Sequence, residues 1–367
     1  MWKKADVMIK KTTGANPDTV MSLSFAFLFK QIFNSLSPPE QLEFVDHTPD
    51  EVRMLYYCCF LSKLIYISKQ DRDIPKCLSI VFEKEDSDMC IIPYNIVNSD
   101  KLNTIFVTFR GSYCFKDFLV DIMAGAQEFQ GGHIHKGVYQ TFQNLYPEIV
   151  QIITKLSDSN NHRPIIFTGH SLGAGVSATM CEQFHQDYPN YQCRCLIFAP
   201  CATFCEKLWR KSLPRCRCYV TDGDFVPFLS FHNAIELPPE VVPTILKKYL
   251  DKAIHKMMGV NIYNPKLISP DINPFQQPPP PLESIFDDDN IDTIINPVPL
   301  YPPGDGFMVC LIDENTSNIK LKKVPDFHYF GKFNNNLNEF RHMMGFYKEW
   351  IEKYVENYFH EHPGEKL

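Results

Sequence analysis

The residues of this chain best placed to do chemistry lie in "IIFTGHSLGAGVSA", positions 165–178. Gly169 and Gly173 flank Ser171 as Gly-x-Ser-x-Gly, the spacing of a nucleophile elbow. In such an elbow a strand turns at once into a helix and the corner residue is held in a strained backbone conformation. Bulky residues two places to either side would collide with the sheet or the facing chain, and glycines remove those collisions. The Ser171 hydroxyl then stands clear of the sheet, and the N–H of Leu172 points from a helix N-terminus at developing negative charge. A serine that only capped the helix would be ordinary, but the flanks have the character an elbow demands. "RPIIFT" is a short β-rich run, and Val176, Met180 and Phe184 follow at three-to-four spacing, as on one face of a helix.

A serine hydroxyl attacks an ester only with a base to take its proton and a carboxylate to orient that base. In α/β-hydrolases the chain order is serine, acid, histidine, so both partners are expected beyond residue 171. "VTDGDFVPF" ends a β-like run in a turn and offers Asp222 and Asp224, each equally suited to a plain turn beside Gly223. The later histidines are His232, His255, His328, His342, His360 and His362. The last two belong to a polar tail, and His255 lies beside an amphipathic run. His328 in "DFHYF" and His342 in "LNEFRHMMGFYKEW" remain, and pattern alone leaves both pairs of candidates open. A second donor for an oxyanion is expected just after an earlier strand. "FVTFRGS" supplies one: Gly111 lets the backbone turn close to a substrate, and Ser112 offers an N–H and a hydroxyl.

The elements that must hold these residues can be read from the same sequence. "TPDEVRMLYYCCFLSKLIYIS" reads as a long helix capped by Thr48 or Asp50. "LSIVFE", "MCIIPYNIV" and "NTIFVTFRG" read as strands before the elbow, and "CRCLIFAP" and "CRCYVTDGDFVPFLS" as strands after it. Strands alternating with helices predict an α/β fold with a mostly parallel central sheet covered by helices on both faces. Before a Pro-rich, acidic stretch over 264–303, the run "EVVPTILKKYLDKAIHKMMGV" carries an apolar helical face. The expected organisation is an N-terminal arm over 1–45, a catalytic domain over 46–263 and 304–358, an insertion over 264–303 and a polar tail over 359–367.

These motifs together resemble the class 3 lipases, and among them the diacylglycerol lipases. The resemblance rests on "VTFRGSYCFKDFLVDI", "HKGVY", "FTGHSLGAGVSA", "DFVP", "LYPPG" and "LNEFRHMMGFY", in family order across roughly residues 50 to 355. It implies an α/β-hydrolase fold and hydrolysis of di- or triacylglycerol esters. It also implies Ser171 as nucleophile, Asp224 as acid because the family aspartate precedes a two-residue step to proline, here Phe225-Val226-Pro227, and His342 as base because a tyrosine, here Tyr347, follows by a few residues. Ser112 and Leu172 would form the oxyanion hole, Ser112 standing where the family often has threonine. Phospholipase A1 or monoacylglycerol lipase activity would use the same machinery, and a catalytically inactive scaffold on the same fold is the alternative of another class. No cofactor and no metal are expected.

Composition narrows the partners. The 367 residues are 44% hydrophobic and 22% charged, ordinary for a chain with a sizeable core. A net charge of −7 argues against nucleic acid, which requires a basic face. The partner expected is a lipid substrate at a membrane or droplet surface. The apolar run Val20 to Phe33, broken by Lys30, is too short to span a bilayer and reads as a packed or interfacial helix, as does 239–259. No apolar leader with a small-residue cleavage site is evident, so a cytoplasmic, peripheral-membrane location is expected. The sequon at Asn315 is then idle. The 13 cysteines fall in apolar runs and read as buried thiols. Cys193/Cys195 and Cys216/Cys218 place each pair on one strand face, without the knuckle turn of a zinc site. His135 and His170 are expected to buttress the site rather than act in it.

Overall fold

The computed structural model describes residues 40–85, 91–111, 125–230, 232–233, 298–313, 318–331, 335–337 and 339–367. In chain order its strands are β1 (Glu43–Val45), β2 (Ser79–Lys84), β3 (Tyr94–Ser99), β4 (Thr104–Phe109), β5 (Ala126–Phe129), β6 (Gly132–His135), β7 (Ile165–His170), β8 (Cys193–Phe198), β9 (Cys216–Thr221), β10 (Asp305–Asp313) and β11 (Asn318–Lys323). The helices that matter to the site are α1 (Pro49–Leu64), α2 (Lys136–Asp158), α3 (Leu172–Asp187), α4 (Glu206–Ser212) and α5 (Met344–Glu361).

The main sheet runs β1-β11-β10-β9-β8-β7-β4-β3-β2, with β5 and β6 forming a separate hairpin. Its centre is parallel: β4, β7, β8, β9 and β10 share one direction. Every residue of β4 and β7 is buried, as expected of parallel strands sandwiched between helix layers. Both margins turn antiparallel, through β3 and β2 on one side and β11 and β1 on the other. This is the mostly parallel α/β sheet that the strand–helix alternation predicts and the α/β-hydrolase architecture that the resemblance implies, with antiparallel margins that the alternation did not indicate.

Two apolar layers close the sheet. Helices α2 and α3 cover one face, where Val176, Met180 and Phe184 are fully buried with Phe167 of β7, as the periodicity predicts. Helices α1 and α5 pack on the other face through Val52, Leu55, Leu61, Tyr347, Trp350 and Ile351. Helix α1 starts at Thr48, whose Oγ1 accepts the Glu51 N–H at 3.4 Å while the Glu51 carboxylate accepts the Thr48 N–H at 2.8 Å. That reciprocal pair satisfies two donors that no helical carbonyl reaches, so Thr48 and not Asp50 is the cap.

Three expected boundaries shift. Glu43–Val45, placed in the N-terminal arm, form β1 and pair with β11 from Glu43↔Lys323 to Val45↔Leu321, supplying the backbone partners that β11 needs. Residues 298–303 of the expected insertion are built into the fold. Leu300 is buried, and Tyr301 exchanges backbone hydrogen bonds with Phe204 at 2.8 and 3.0 Å. The polar tail is helical through Glu361, because Tyr354, Val355 and Tyr358 continue the buried face of α5, and Glu365 then pairs with Arg53 at 2.6 Å. Residues 20–33, 239–259, 264–297 and Asn315 lie outside the described residues. Among the described residues no helix is long and apolar enough to cross a membrane.

Candidate active site

Strand β7 delivers Ser171 to the C-terminal end of the parallel strands, where the chain reverses into α3. Its φ of 60° and ψ of −125° are a conformation that side chains rarely adopt, a cost of about 1–3 kcal/mol that the surroundings must impose. They do so from three sides. The Ser171 N–H donates to the Phe198 carbonyl at 3.0 Å, and the Ser171 carbonyl accepts from Ala174 N–H at 3.0 Å. A Cβ on Gly173 would sit 2.4 Å from the Phe109 carbonyl oxygen, and one on Gly169 would sit 2.7 Å from it, so both glycines let the end of β4 close against the elbow. Leu172, as the first residue of α3, has an N–H with no carbonyl four residues back within the helix to accept it, which leaves a donor at the elbow.

The histidine expected as base arrives from far along the chain. His342 ends a 3₁₀ turn, Glu339–His342, just before α5. Its Nε2 lies 3.0 Å from Ser171 Oγ and its Nδ1 lies 3.1 Å from Asp224 Oδ2. Asp224 is wholly buried, and accepts further bonds from the Val226 N–H at 2.9 Å and the Tyr347 hydroxyl at 2.5 Å. Facing a carboxylate, His342 Nδ1 carries the proton, which leaves Nε2 free to accept from the serine hydroxyl. Tyr347 is itself fixed by the Thr221 N–H at 3.0 Å, and burial with the neighbouring Asp224 charge pushes its phenol well above the usual range. Thr221 Oγ1 donates to the Arg341 carbonyl at 3.0 Å, so the end of β9 holds the Asp224 turn and the His342 segment together.

The alternatives left open by pattern are placed elsewhere. Asp222 accepts from Asn336 Nδ2 at 2.6 Å, and burial raises its carboxyl. His328 is exposed and stacks against Phe327. His135 is buried at the start of α2, where its Nδ1 caps the Val138 N–H at 3.4 Å. The structure therefore brings Ser171, His342 and Asp224 together and leaves Asp222 and His328 apart. Ser112 lies outside the described residues, while Gly111 before it is seated tightly against the elbow: a Cβ there would lie 2.9 Å from Ser171 Cβ.

Sequence reasoning missed Tyr66 and Thr221, and saw Tyr347 only as a marker of the base. Tyr66 follows the end of α1, and its hydroxyl accepts the Gly111 N–H at 2.8 Å. No local pattern announces such a contact, because its partners are 45 and 104 residues away. The two Cys-x-Cys runs align on β8 and β9 with Cys195 opposite Cys216, and Cys181 of α3 reaches Cys193 at 3.9 Å. All eleven described cysteines are free thiols, and among the described residues no group of His, Cys, Asp or Glu is placed to hold a metal ion.

A parallel sheet whose central strand ends in a strained serine, with histidine and a buried aspartate in line behind it, defines an α/β-hydrolase fold carrying a serine–histidine–aspartate arrangement. Residues 106–234 match the family model of Lipase (class 3). It is 25% identical to diacylglycerol lipase-beta of Mus musculus over 163 residues, 42% of this chain and 24% of the relative. It is 24% identical to a lipase of Rhizopus niveus over 97 residues, 26% of this chain and 25% of that one. The chain thus spans about a quarter of the length of these curated relatives. In fold it is similar to the Rhizomucor miehei lipase–propeptide complex, with a TM-score of 0.54 at 13% identity over 84% of this chain and 85% of that one. A triacylglycerol lipase whose catalytic centre is a serine protease triad aligns with a TM-score of 0.52 at 14% identity, over 81% of this chain and 94% of its own.

Proposed function

We propose that the protein is a carboxylic-ester hydrolase that cleaves di- or triacylglycerols through an acyl-enzyme on Ser171. The observation that carries this reading is the unbroken line from Ser171 Oγ to His342 Nε2 and from His342 Nδ1 to Asp224 Oδ2, at 3.0 and 3.1 Å. As Ser171 Oγ attacks the ester carbonyl carbon, His342 Nε2 takes the hydroxyl proton and the carbonyl oxygen becomes an oxyanion. The Leu172 N–H, at the positive end of α3, faces that charge, with Ser112 as the second expected donor. Collapse of the tetrahedral species breaks the ester C–O bond, and His342 returns its proton to the departing glycerol oxygen. Water then attacks the acyl-enzyme with His342 again as base, releasing the fatty acid and restoring the Ser171 hydroxyl. Asp224 holds the imidazole in the required tautomer and balances its transient charge. This chemistry calls for no metal and no organic cofactor.

The acylglycerol assignment is supported by the motif resemblance to diacylglycerol lipases and by the curated lipases the chain is similar to. The proposed partner is a lipid at a membrane or droplet surface, approached from the cytoplasm; the placing of most cysteines in buried apolar runs fits a reducing compartment. The test is labelling by a fluorophosphonate, which reacts with an activated serine, followed by a panel of acylglycerols and phospholipids. Wild type is expected to label, and Ser171→Ala and His342→Ala are not. Labelling that survives Ser171→Ala would move the nucleophile elsewhere. Release of fatty acid only from phospholipid would replace the acylglycerol reading by a phospholipase one, and a folded, unreactive wild type would favour a scaffold.

A further inference from the structure

His170, the residue immediately before the nucleophile, is buried, yet both of its ring nitrogens are engaged. Its Nε2 lies 2.8 Å from the backbone carbonyl oxygen of His342. A carbonyl oxygen only accepts, so Nε2 carries the proton and Nδ1 is left as the acceptor. Tyr66 fills that role, its hydroxyl donating to Nδ1 at 3.2 Å, while the same oxygen accepts the Gly111 N–H at 2.8 Å. The bonds run in one direction from Gly111 through Tyr66 and His170 to His342. We infer that Tyr66 and His170 are positioning residues of the hydrolytic reaction, a relay that fixes the backbone of the oxyanion loop and the backbone of the base to one another.

The two ends of the relay show why this matters. Gly111 precedes Ser112, the expected second oxyanion donor, and a Cβ on Gly111 would lie 2.7 Å from the Tyr66 oxygen and 2.6 Å from the His170 carbonyl oxygen. Gly111 itself is therefore seated directly on the relay. At the other end, the bond to the His342 carbonyl fixes the residue whose Nε2 must meet Ser171. Displacements of about 1 Å at either place cost orders of magnitude in rate.

The relay also needs a neutral His170, since a second ring proton would point at the Tyr66 hydroxyl. Burial pushes the imidazole well below its usual range, with the His342 ring and Lys63 adding to the effect. The rings of His342 and Tyr347 lie at centroid distances of 4.7 and 5.7 Å, so the charge that appears on His342 during turnover meets an uncharged face.

The inference rests on the hydrolase reading, and the test separates the two. Ester turnover would be measured for wild type, Tyr66→Phe, His170→Ala, His170→Gln and the Tyr66→Phe/His170→Ala double variant, each checked for folding by circular dichroism. Expected is a fall in kcat of about tenfold or more for Tyr66→Phe and for His170→Ala at little-changed KM. The double variant should be no slower than the slower single, because both break one relay. His170→Gln keeps an N–H near the Nε2 position and should recover part of the loss even if His170→Ala folds poorly. Single variants within about twofold of wild type, or losses that multiply in the double variant, would overturn the relay. Nitrogen-15 spectra of the histidines in the intact protein supply a readout independent of activity. An Nε2–H tautomer at His170, with the Gly111 amide shifting in His170→Gln, is expected, and an Nδ1–H tautomer would sink the inference. A wild type that turns over no ester defeats the hydrolase reading instead, and the spectra alone then decide whether the relay exists.

Discussion

Replacing Asp224 by asparagine tests the site at its most constrained point. Three donors converge on the two carboxylate oxygens: the Val226 N–H at 2.9 Å on Oδ1, and His342 Nδ1 at 3.1 Å and the Tyr347 hydroxyl at 2.5 Å on Oδ2. Asparagine has one acceptor oxygen and one NH₂ group. If the oxygen stays on Val226, the NH₂ faces both Tyr347 and His342. If the amide flips, the NH₂ faces the Val226 N–H. In the first orientation the way to avoid donor against donor is to move the imidazole proton to Nε2, where it points at Ser171 and ends base catalysis. A tautomer fault of this kind costs on the order of 10⁴ in kcat, or about 5.5 kcal/mol of transition-state stabilisation. The second orientation leaves a buried donor unpaired, at about 1–3 kcal/mol of stability. The assay is turnover of a soluble short-chain ester beside urea unfolding, with Asp222→Asn as the control, since Asn336 is its partner. Asp222→Asn should remain within a few-fold of wild type. An Asp224→Asn enzyme that keeps more than about a tenth of wild-type kcat, with Asp222→Asn the crippled variant, would refute the assignment of the acid.

Two further outcomes follow from packing and burial. Burial, helped by Arg217 and opposed by Glu51, pushes His47 down to about 4, with its Nε2 2.7 Å from the Tyr219 hydroxyl. The unfolded chain takes up this proton as pH falls through about 6.5 and the folded chain does not until about 4, so stability is lost across that window, by about 2 kcal/mol at about pH 5. His170 acts in the same direction, and a His47→Gln protein whose urea midpoint falls as steeply as wild type between about pH 7 and about pH 5 would refute the contribution of His47. Gly173→Ala should lose both labelling and thermal stability, its Cβ meeting backbone at 2.4 Å, whereas Gly345→Ala in α5 meets nothing within 4 Å and should gain about 0.5–1 kcal/mol in thermal melts; equal melts for the two would show that the elbow is not close-packed.

What could be read from the sequence was what is local. The elbow, its strand and the helix face of Val176, Met180 and Phe184 declare themselves within twenty residues, because steric and periodic rules act over that range. The cap of α1 could be narrowed to Thr48 or Asp50 for the same reason, and the structure selects Thr48. The choice of Asp224 and His342 came from resemblance, since turn chemistry treats Asp222 and Asp224 alike and only the three-dimensional arrangement sends one carboxylate to Asn336 and the other to the imidazole. Strand β1 escaped notice because three residues carry no period, and its place is set by the unsatisfied edge of β11. Tyr66 escaped because a hydroxyl's partner is fixed by packing between distant segments.

His342 is separated from Asp224 by 118 residues and from Ser171 by 171, and it leads directly into α5. A nascent chain that has emerged only as far as Phe340 carries serine, acid and most of the parallel sheet, yet no proton acceptor for the hydroxyl. Assembly of the site therefore waits on α5, which seats Tyr347 beneath Asp224 and completes the apolar layer over α1. If the chain is the ester hydrolase proposed, the first appearance of ester turnover would time the docking of that helix.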